Sequence, residues 1–189
     1  MRIIGGQYRG KKLFSPDSDK VRPTSDRARE ALFNILNSQL ENPWSEYTLL
    51  DVFAGTGAFA LEAISRGIKH VCLIDIDTKS LTKNVALFPA EQSKIMVKRA
   101  DVSTLPVAEQ PYDILFMDAP YNKGLSEVAL INLHRQKWLK EGALCLIEVE
   151  KNEKIAVPSC YSVQNERKYG LAKVIFLKYE SGETADEQR

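Results

Sequence analysis

From residue 48 onward, short apolar runs alternate with amphipathic ones, and this alternation constrains the fold more than any other feature of the sequence. The apolar runs at 48–53, 70–76, 95–100, 113–117 and 143–149 are short and rich in Val, Ile, Leu and Cys, the pattern of strands buried on both faces. Between them, 57–66, 79–88 and 125–139 repeat apolar residues at helical spacing. Strands and helices joined in this order by short connections predict an α/β fold, with a mostly parallel sheet covered by helices on both faces. Two further runs, 161–166 and 173–179, flank Tyr169-Gly170 and predict an antiparallel C-terminal strand pair, which brings the sheet to seven strands.

The first part of the chain is different. Residues 2–14 mix apolar residues with glycine and basic side chains, which predicts an N-terminal β-hairpin turning near Gly10 or at Gly5-Gly6. A loop over 15–19 follows. After Arg22-Pro23, Thr24 or Ser25 is placed to cap a helix whose Ala28, Ala31, Leu32, Ile35 and Leu36 share one face, and 37–47, with Pro43, ends it. The expected organisation is a hairpin extension over 1–20, an α/β domain over 21–181 and a polar tail over 182–189. A chain of 189 residues buries a full core without a disulfide. Cys72, Cys145 and Cys160 show no CxxC pairing and read as core residues, while His70 and His134 are too few for a multi-histidine centre, so no metal is expected. No stretch approaches about 18 apolar residues, and Met1 to Gly6 lacks a signal-peptide core, so the expected location is cytoplasmic.

Chemistry concentrates at the ends of the predicted strands. The first strand runs into Ala54-Gly55-Thr56-Gly57-Ala58-Phe59-Ala60 and then a helix, the context of a nucleotide-type site. Gly55-x-Gly57-x-x-Ala60 alone fits either a dinucleotide or S-adenosylmethionine (SAM), and Asp75 at the end of the next strand suits the ribose hydroxyls of both. Asp51 discriminates: a carboxylate there opposes a pyrophosphate but attracts a sulfonium and an ammonium, although it also suits a plain cap on the glycine turn. Asp118-Ala119-Pro120-Tyr121 follows the strand 113–117 at the edge where open α/β sheets bind ligands. The exocyclic amine of a nucleobase is a poor nucleophile because its lone pair is delocalised into the ring. An Asp118 carboxylate and the Ala119 carbonyl can hold both N–H groups and aim the lone pair, while Tyr121 stacks on the base.

These motifs together resemble the RsmD family of bacterial 16S rRNA guanine-N2 methyltransferases, over nearly the whole chain. The resemblance rests on Arg2-Ile3-Ile4-Gly5-Gly6 with Arg9-Gly10, on Arg22-Pro23-Thr24-x-Asp26-Arg27-x-Arg29-Glu30-Ala31-Leu32-Phe33-Asn34, and on Leu61-Glu62-Ala63-x-Ser65-Arg66-Gly67 beside the glycine turn. It implies a class I, Rossmann-like fold, with SAM as cofactor and S-adenosylhomocysteine as product. Asp51, Phe53, Ala54, Gly55, Thr56, Gly57, Ile76 and Val102 would line the cofactor, with Asp75 holding the ribose and Asp101 reaching the adenine amine. Asp118, Ala119, Pro120 and Tyr121 would embrace the target guanine. Net charge is only +1, but the N-terminal region is basic, and Arg9, Lys11, Arg22, Thr24 and Arg27 are the expected RNA contacts. The implied partner is 16S rRNA within a small ribosomal subunit or an assembly intermediate, met by a monomer. One departure stands out: the family usually carries proline at the second place of the loop, where this chain has Ala119, a loss of about 0.4–1 kcal/mol of preorganisation. An NAD-type oxidoreductase, a DNA adenine-N6 methyltransferase and a non-catalytic ribosome-assembly RNA-binding protein are the alternative readings, and the first of these leaves the Asp118 loop without a role.

Overall fold

The computed structural model describes residues 1–15 and 26–182. Its seven strands are β1 (Thr48–Val52), β2 (His70–Asp75), β3 (Ile95–Arg99), β4 (Tyr112–Asp118), β5 (Leu139–Glu150), β6 (Tyr161–Tyr169) and β7 (Ala172–Tyr179). They form one sheet in the order β3-β2-β1-β4-β5-β7-β6. Strands β1 to β5 run parallel, and β7 pairs antiparallel with both β5 and β6. The order reverses between β1 and β4, so the connections leaving these two strands diverge and open a crevice beyond their carboxyl ends.

The alternation of side chains along β1 explains the two-sided burial. Leu50 and Val52 join Cys72, Ile74, Leu115 and Met117 beneath α4 (Leu125–Arg135). Leu49 joins Val71, Leu73, Ile114 and Phe116 beneath α1 (Asp26–Gln39) and α2 (Ala58–Ser65). Each such aliphatic side chain contributes about 1.5–3 kcal/mol by leaving water, which is why a continuous apolar run holds the centre of the sheet. Cys72, Cys145 and Cys160 are buried and free, as the apolar context of the first two suggests. Among the described residues no helix is long and apolar enough to cross a membrane.

Several boundaries differ from the sequence expectation, each for a local reason. The helix expected over 79–88 is α3 (Lys79–Val85), because Phe88 precedes Pro89 and is driven out of helical geometry; a 3₁₀ turn, Pro89–Lys94, follows. The helix expected over 125–139 ends at Arg135. Lys137 takes a positive φ of 57° and Trp138 turns into the core, so β5 begins earlier than the expected 143. The cap at Thr24 or Ser25 and the tail beyond residue 182 lie outside the described residues.

The N-terminal hairpin is reduced to one antiparallel bridge, Arg2 with Lys12, supported by the Ile3 N–H on the Lys11 carbonyl and the Gly10 N–H on the Ile3 carbonyl. Other backbone groups of the arm bond to α2. The N–H groups of Ile4 and Gly5 donate to the Glu62 carboxylate at 2.7 and 2.8 Å, and those of Gln7 and Tyr8 donate to the carbonyl and hydroxyl of Ser65. Gly6 meets Ser65 so closely that a Cβ would fall 1.9 Å from its carbonyl oxygen. Ile3 and Leu13 complete a small core with Leu61 and Phe88, which joins this arm to the body.

Candidate active site

The glycine turn at the end of β1 is built from left-handed backbone. Phe53, Gly55 and Gly57 take φ of 57°, 56° and 74°. An aromatic residue in that region is strained by about 1–3 kcal/mol, and Phe53 is held there by packing against the core and by the neighbouring Ala54 N–H, which donates to the Ile74 carbonyl. The two glycines serve different ends. A Cβ on Gly57 would lie 2.5 Å from Leu81 Cδ1, so that glycine is needed for packing. A Cβ on Gly55 would meet nothing nearer than 4.0 Å, which leaves the turn open on its outer side for a ligand to approach the backbone.

Carboxylates gather at this edge. Asp51 is only 1% exposed, and its Oδ2 accepts the Ala60 N–H in the first turn of α2 at 3.3 Å, so the capping role is real. Burial, with a smaller contribution from Asp75, pushes its carboxyl up to about 8. A group used merely as a cap would not need to sit in so costly a place. Asp75 accepts the Gly55 N–H on one oxygen at 2.8 Å and the Asp77 N–H on the other at 3.0 Å, and each oxygen keeps a lone pair for a hydroxyl donor. Next to it, Ile76 is 67% exposed, an apolar plate at the mouth of the crevice. Asp101 caps a 3₁₀ turn through Ser103, whose bonds hold its carboxyl below the usual range and keep it an acceptor. Val102, by contrast, has its side chain in the core, so only its backbone is placed to meet a ligand.

The loop after β4 stands across the switch point from the glycine turn. Burial, then Glu148 and Asp51, raise the Asp118 carboxyl well above its ordinary value. Ala119 is buried against the core, Pro120 is exposed, and Tyr121 is partly exposed with its hydroxyl donating to Glu148 Oε1 at 3.1 Å. Glu148 lies on β5 in direct register with Asp118 and is 4% exposed. It is a site residue that sequence reasoning passed over, although an acid inside the apolar run Leu144-Cys145-Leu146-Ile147-Glu148-Val149 is its visible trace.

The expected RNA contacts divide. Arg9 and Arg27 are exposed, and Arg22 and Thr24 lie outside the described residues. Lys11 is turned inward: its ammonium donates to the Leu87 carbonyl and lies over the rings of Tyr8 and Phe88. Arg2 pairs with Asp26 at 3.2 Å, and the buried Arg29 reaches the Arg2 carbonyl and Asp26. Much of the basic character of this region is therefore engaged within the fold. Glu62, fully buried and bound also by Arg66 at 2.9 Å, is the acid that organises it, a role the sequence alone did not suggest.

Comparison with known proteins agrees with this geometry. A family model described as Conserved hypothetical protein 95 matches residues 1–178. The chain is similar to the ribosomal RNA small subunit methyltransferase D of Escherichia coli strain K12, at 38% identity over 97% of this chain and 93% of that protein. A solved structure from Escherichia coli, assigned as the methyltransferase yhhF, superposes with a TM-score of 0.82 at 34% identity, covering 96% of this chain and 98% of that one. A 1,6-didemethyltoxoflavin-N1-methyltransferase from Burkholderia thailandensis, solved with S-adenosylhomocysteine, shares the fold alone, with a TM-score of 0.63 at 15% identity over 83% of this chain and 80% of that one. Because the family match spans the N-terminal arm as well as the sheet and its acidic edge, the chain is a methyltransferase and belongs to the family described as Conserved hypothetical protein 95, the RsmD family.

Proposed function

We propose that this chain uses SAM to methylate the exocyclic N2 amine of a guanine in 16S rRNA, acting as a cytoplasmic monomer on a small ribosomal subunit or an assembly intermediate. The observation that carries the reading is the row of carboxylates, Asp51, Asp75, Asp118 and Glu148, on adjacent strand ends around an open glycine turn. Such an edge suits a cationic cofactor. A dinucleotide would bring its pyrophosphate against the same acids, at a Coulombic cost of about 4 kcal/mol per close like-charged pair near a protein surface. The donor set fits SAM in detail: Asp75 toward the ribose hydroxyls, Ile76 against the adenine, Asp101 toward the adenine amine and Asp51 toward the cationic end. Phe53, Ala54, Gly55, Thr56 and Gly57 supply the backbone floor. The fold-level relative solved with S-adenosylhomocysteine supports the same choice.

When bound, SAM supplies an electrophilic methyl group. Everything else is done by the chain. The Asp118 carboxylate and the Ala119 carbonyl accept the two amine N–H groups, which turns the nitrogen lone pair out of conjugation and toward the methyl. Tyr121 stacks on the base, a contact worth about 1–3 kcal/mol, and Pro120 keeps the Ala119 backbone extended. Arg9 and Arg27, with Arg22 and Thr24, hold the flanking phosphates and help offset an unstacking cost of a few kcal/mol. Lys11 joins them only by leaving the Leu87 carbonyl. The rRNA target follows from the relatives' described substrate, and the guanine from the motifs shared with the family.

Calorimetry with SAM, S-adenosylhomocysteine and NADH tests the cofactor, and transfer from labelled SAM to free 16S rRNA and to small-subunit particles tests the acceptor. Binding of the first two ligands and labelling of particles are expected. Tight NADH binding without SAM binding would overturn the reading.

A further inference from the structure

Tyr121 is tied to the sheet through its hydroxyl. The residue is 37% exposed, and its hydroxyl donates to a carboxylate that is almost completely buried. Glu148 is the β5 residue in register with Asp118, so one side chain stands beside both the acid that would hold the amine and the ring that would hold the base.

The rest of the loop is fastened from the same side. The Asn122 N–H donates to Glu153 Oε1 at 2.9 Å, and the other Glu153 oxygen accepts the Glu150 N–H at 3.2 Å, which anchors that acid to the end of β5. Between Asp118 and Asn122 the loop carries only one proline ring, at Pro120. Its direction is set by these two carboxylates.

We infer that Glu148 is a positioning residue for methyl transfer: through the Tyr121 hydroxyl it fixes the plane of the stacking ring relative to Asp118, so that a base lying on Tyr121 presents its amine to the carboxylate. The inference rests on the base-methylation reading. A stacking ring free to tilt would still bind the base but would displace the amine by the ångström or so that costs about a hundredfold in rate.

A double-mutant cycle on the full chain tests this, read both as methyl transfer to 16S rRNA particles and as backbone hydrogen exchange over residues 121–124 without RNA. Glu148→Ala and Tyr121→Phe are each expected to lower kcat about ten- to a hundredfold, to leave SAM affinity within about twofold, and to accelerate loop exchange. The double variant should be no worse than the poorer single variant. Glu148→Gln, which keeps an acceptor for the hydroxyl, should restore most of both readouts. Multiplicative losses, a Glu148→Gln variant as impaired as Glu148→Ala, or loop exchange unchanged in Glu148→Ala would each overturn the inference. An inactive wild-type protein would instead sink the base-methylation reading, and hydrogen exchange would still report whether Glu148 holds the loop.

Discussion

The carboxyl edge of the sheet and the N-terminal arm are both charged, and they use charge in opposite ways. At the edge, Asp51 and Glu148 are buried and Asp118 is half-buried; burial first, then Asp75 for Asp51 and Glu148 with Asp51 for Asp118, raise the Asp51 and Asp118 carboxyls. Carboxyls raised in this way at a strand edge suit the cation and the amine of the proposed reaction. In the arm, Glu62 is equally buried but fully answered, by two backbone N–H groups and by Arg66, with Arg29 Nε at 3.9 Å. Lys11 is likewise engaged within the fold, Arg2 pairs with Asp26 at the surface, and Arg29 is bound through Nη2 while its buried Nε has no hydrogen-bond partner among the described residues. Raised carboxyls set the edge apart from the arm, where Glu62 is bound from several sides. A count of acids and bases along the chain does not separate them.

The comparison breaks most sharply at Glu62. Replacing it with alanine leaves the Ile4 and Gly5 N–H groups and Arg66 Nε without their acceptor, and should cost about 3–5 kcal/mol in chemical denaturation. An Asp118→Ala change at the edge should leave stability unchanged or raise it. If Glu62→Ala unfolds at the wild-type midpoint, the arm is an appendage and not part of the body.

Asp51 sharpens the other side through pH. Its carboxyl is raised to about 8 in the folded protein, so between its ordinary value and that point the folded chain holds a proton that the unfolded chain has released. Stability from this group is present at low pH and falls as pH rises through that window. A cation bound beside it favours the ionised form, so SAM affinity should climb by up to about tenfold per pH unit toward pH 8 and then level, with a proton released at pH 7. Calorimetry in buffers of different protonation enthalpy measures that proton, and Asp51→Asn should abolish it. A pH-independent affinity would remove Asp51 from the cofactor's cationic end.

The smallest effects are expected in the arm's remaining surface charge. Arg9→Glu should weaken RNA binding and flatten its dependence on salt by about one counterion, without changing stability. Lys11→Glu should lower stability as well, because its ammonium serves the Leu87 carbonyl and the Tyr8 and Phe88 rings. Equal behaviour of the two variants in thermal melts would mean that Lys11 is as available to RNA as Arg9.

Much of the edge was legible in the sequence because parallel strands end where their apolar runs end. Asp75, Asp101 and Asp118 stand at or just past the end of such a run, Asp51 lies inside one just before the glycine turn, and no knowledge of strand neighbours was needed to pick them out. Glu148 was not legible in that way. Its meaning comes from register with a strand some thirty residues earlier and from a hydroxyl on an intervening loop, neither of which a local pattern contains. The arm was legible in part for a related reason: alternating apolar and glycine residues predict its antiparallel pairing, seen as a short bridge, but not the bonds that other backbone groups make to α2. Helix ends at Val85 and Arg135 were set by Pro89 and by the buried Trp138, so only the first had a local cause in plain view.

The most direct test of the account is nucleoside mass spectrometry of 16S rRNA from small-subunit particles incubated with SAM and either the wild-type protein or Asp118→Ala. The wild type should yield N2-methylguanosine. Asp118→Ala should bind SAM with nearly unchanged affinity and lose transfer by about 10³-fold, the scale of removing one transition-state contact. N6-methyladenosine in place of methylguanosine, or near wild-type transfer by Asp118→Ala, would contradict the assignment of this edge to a guanine amine.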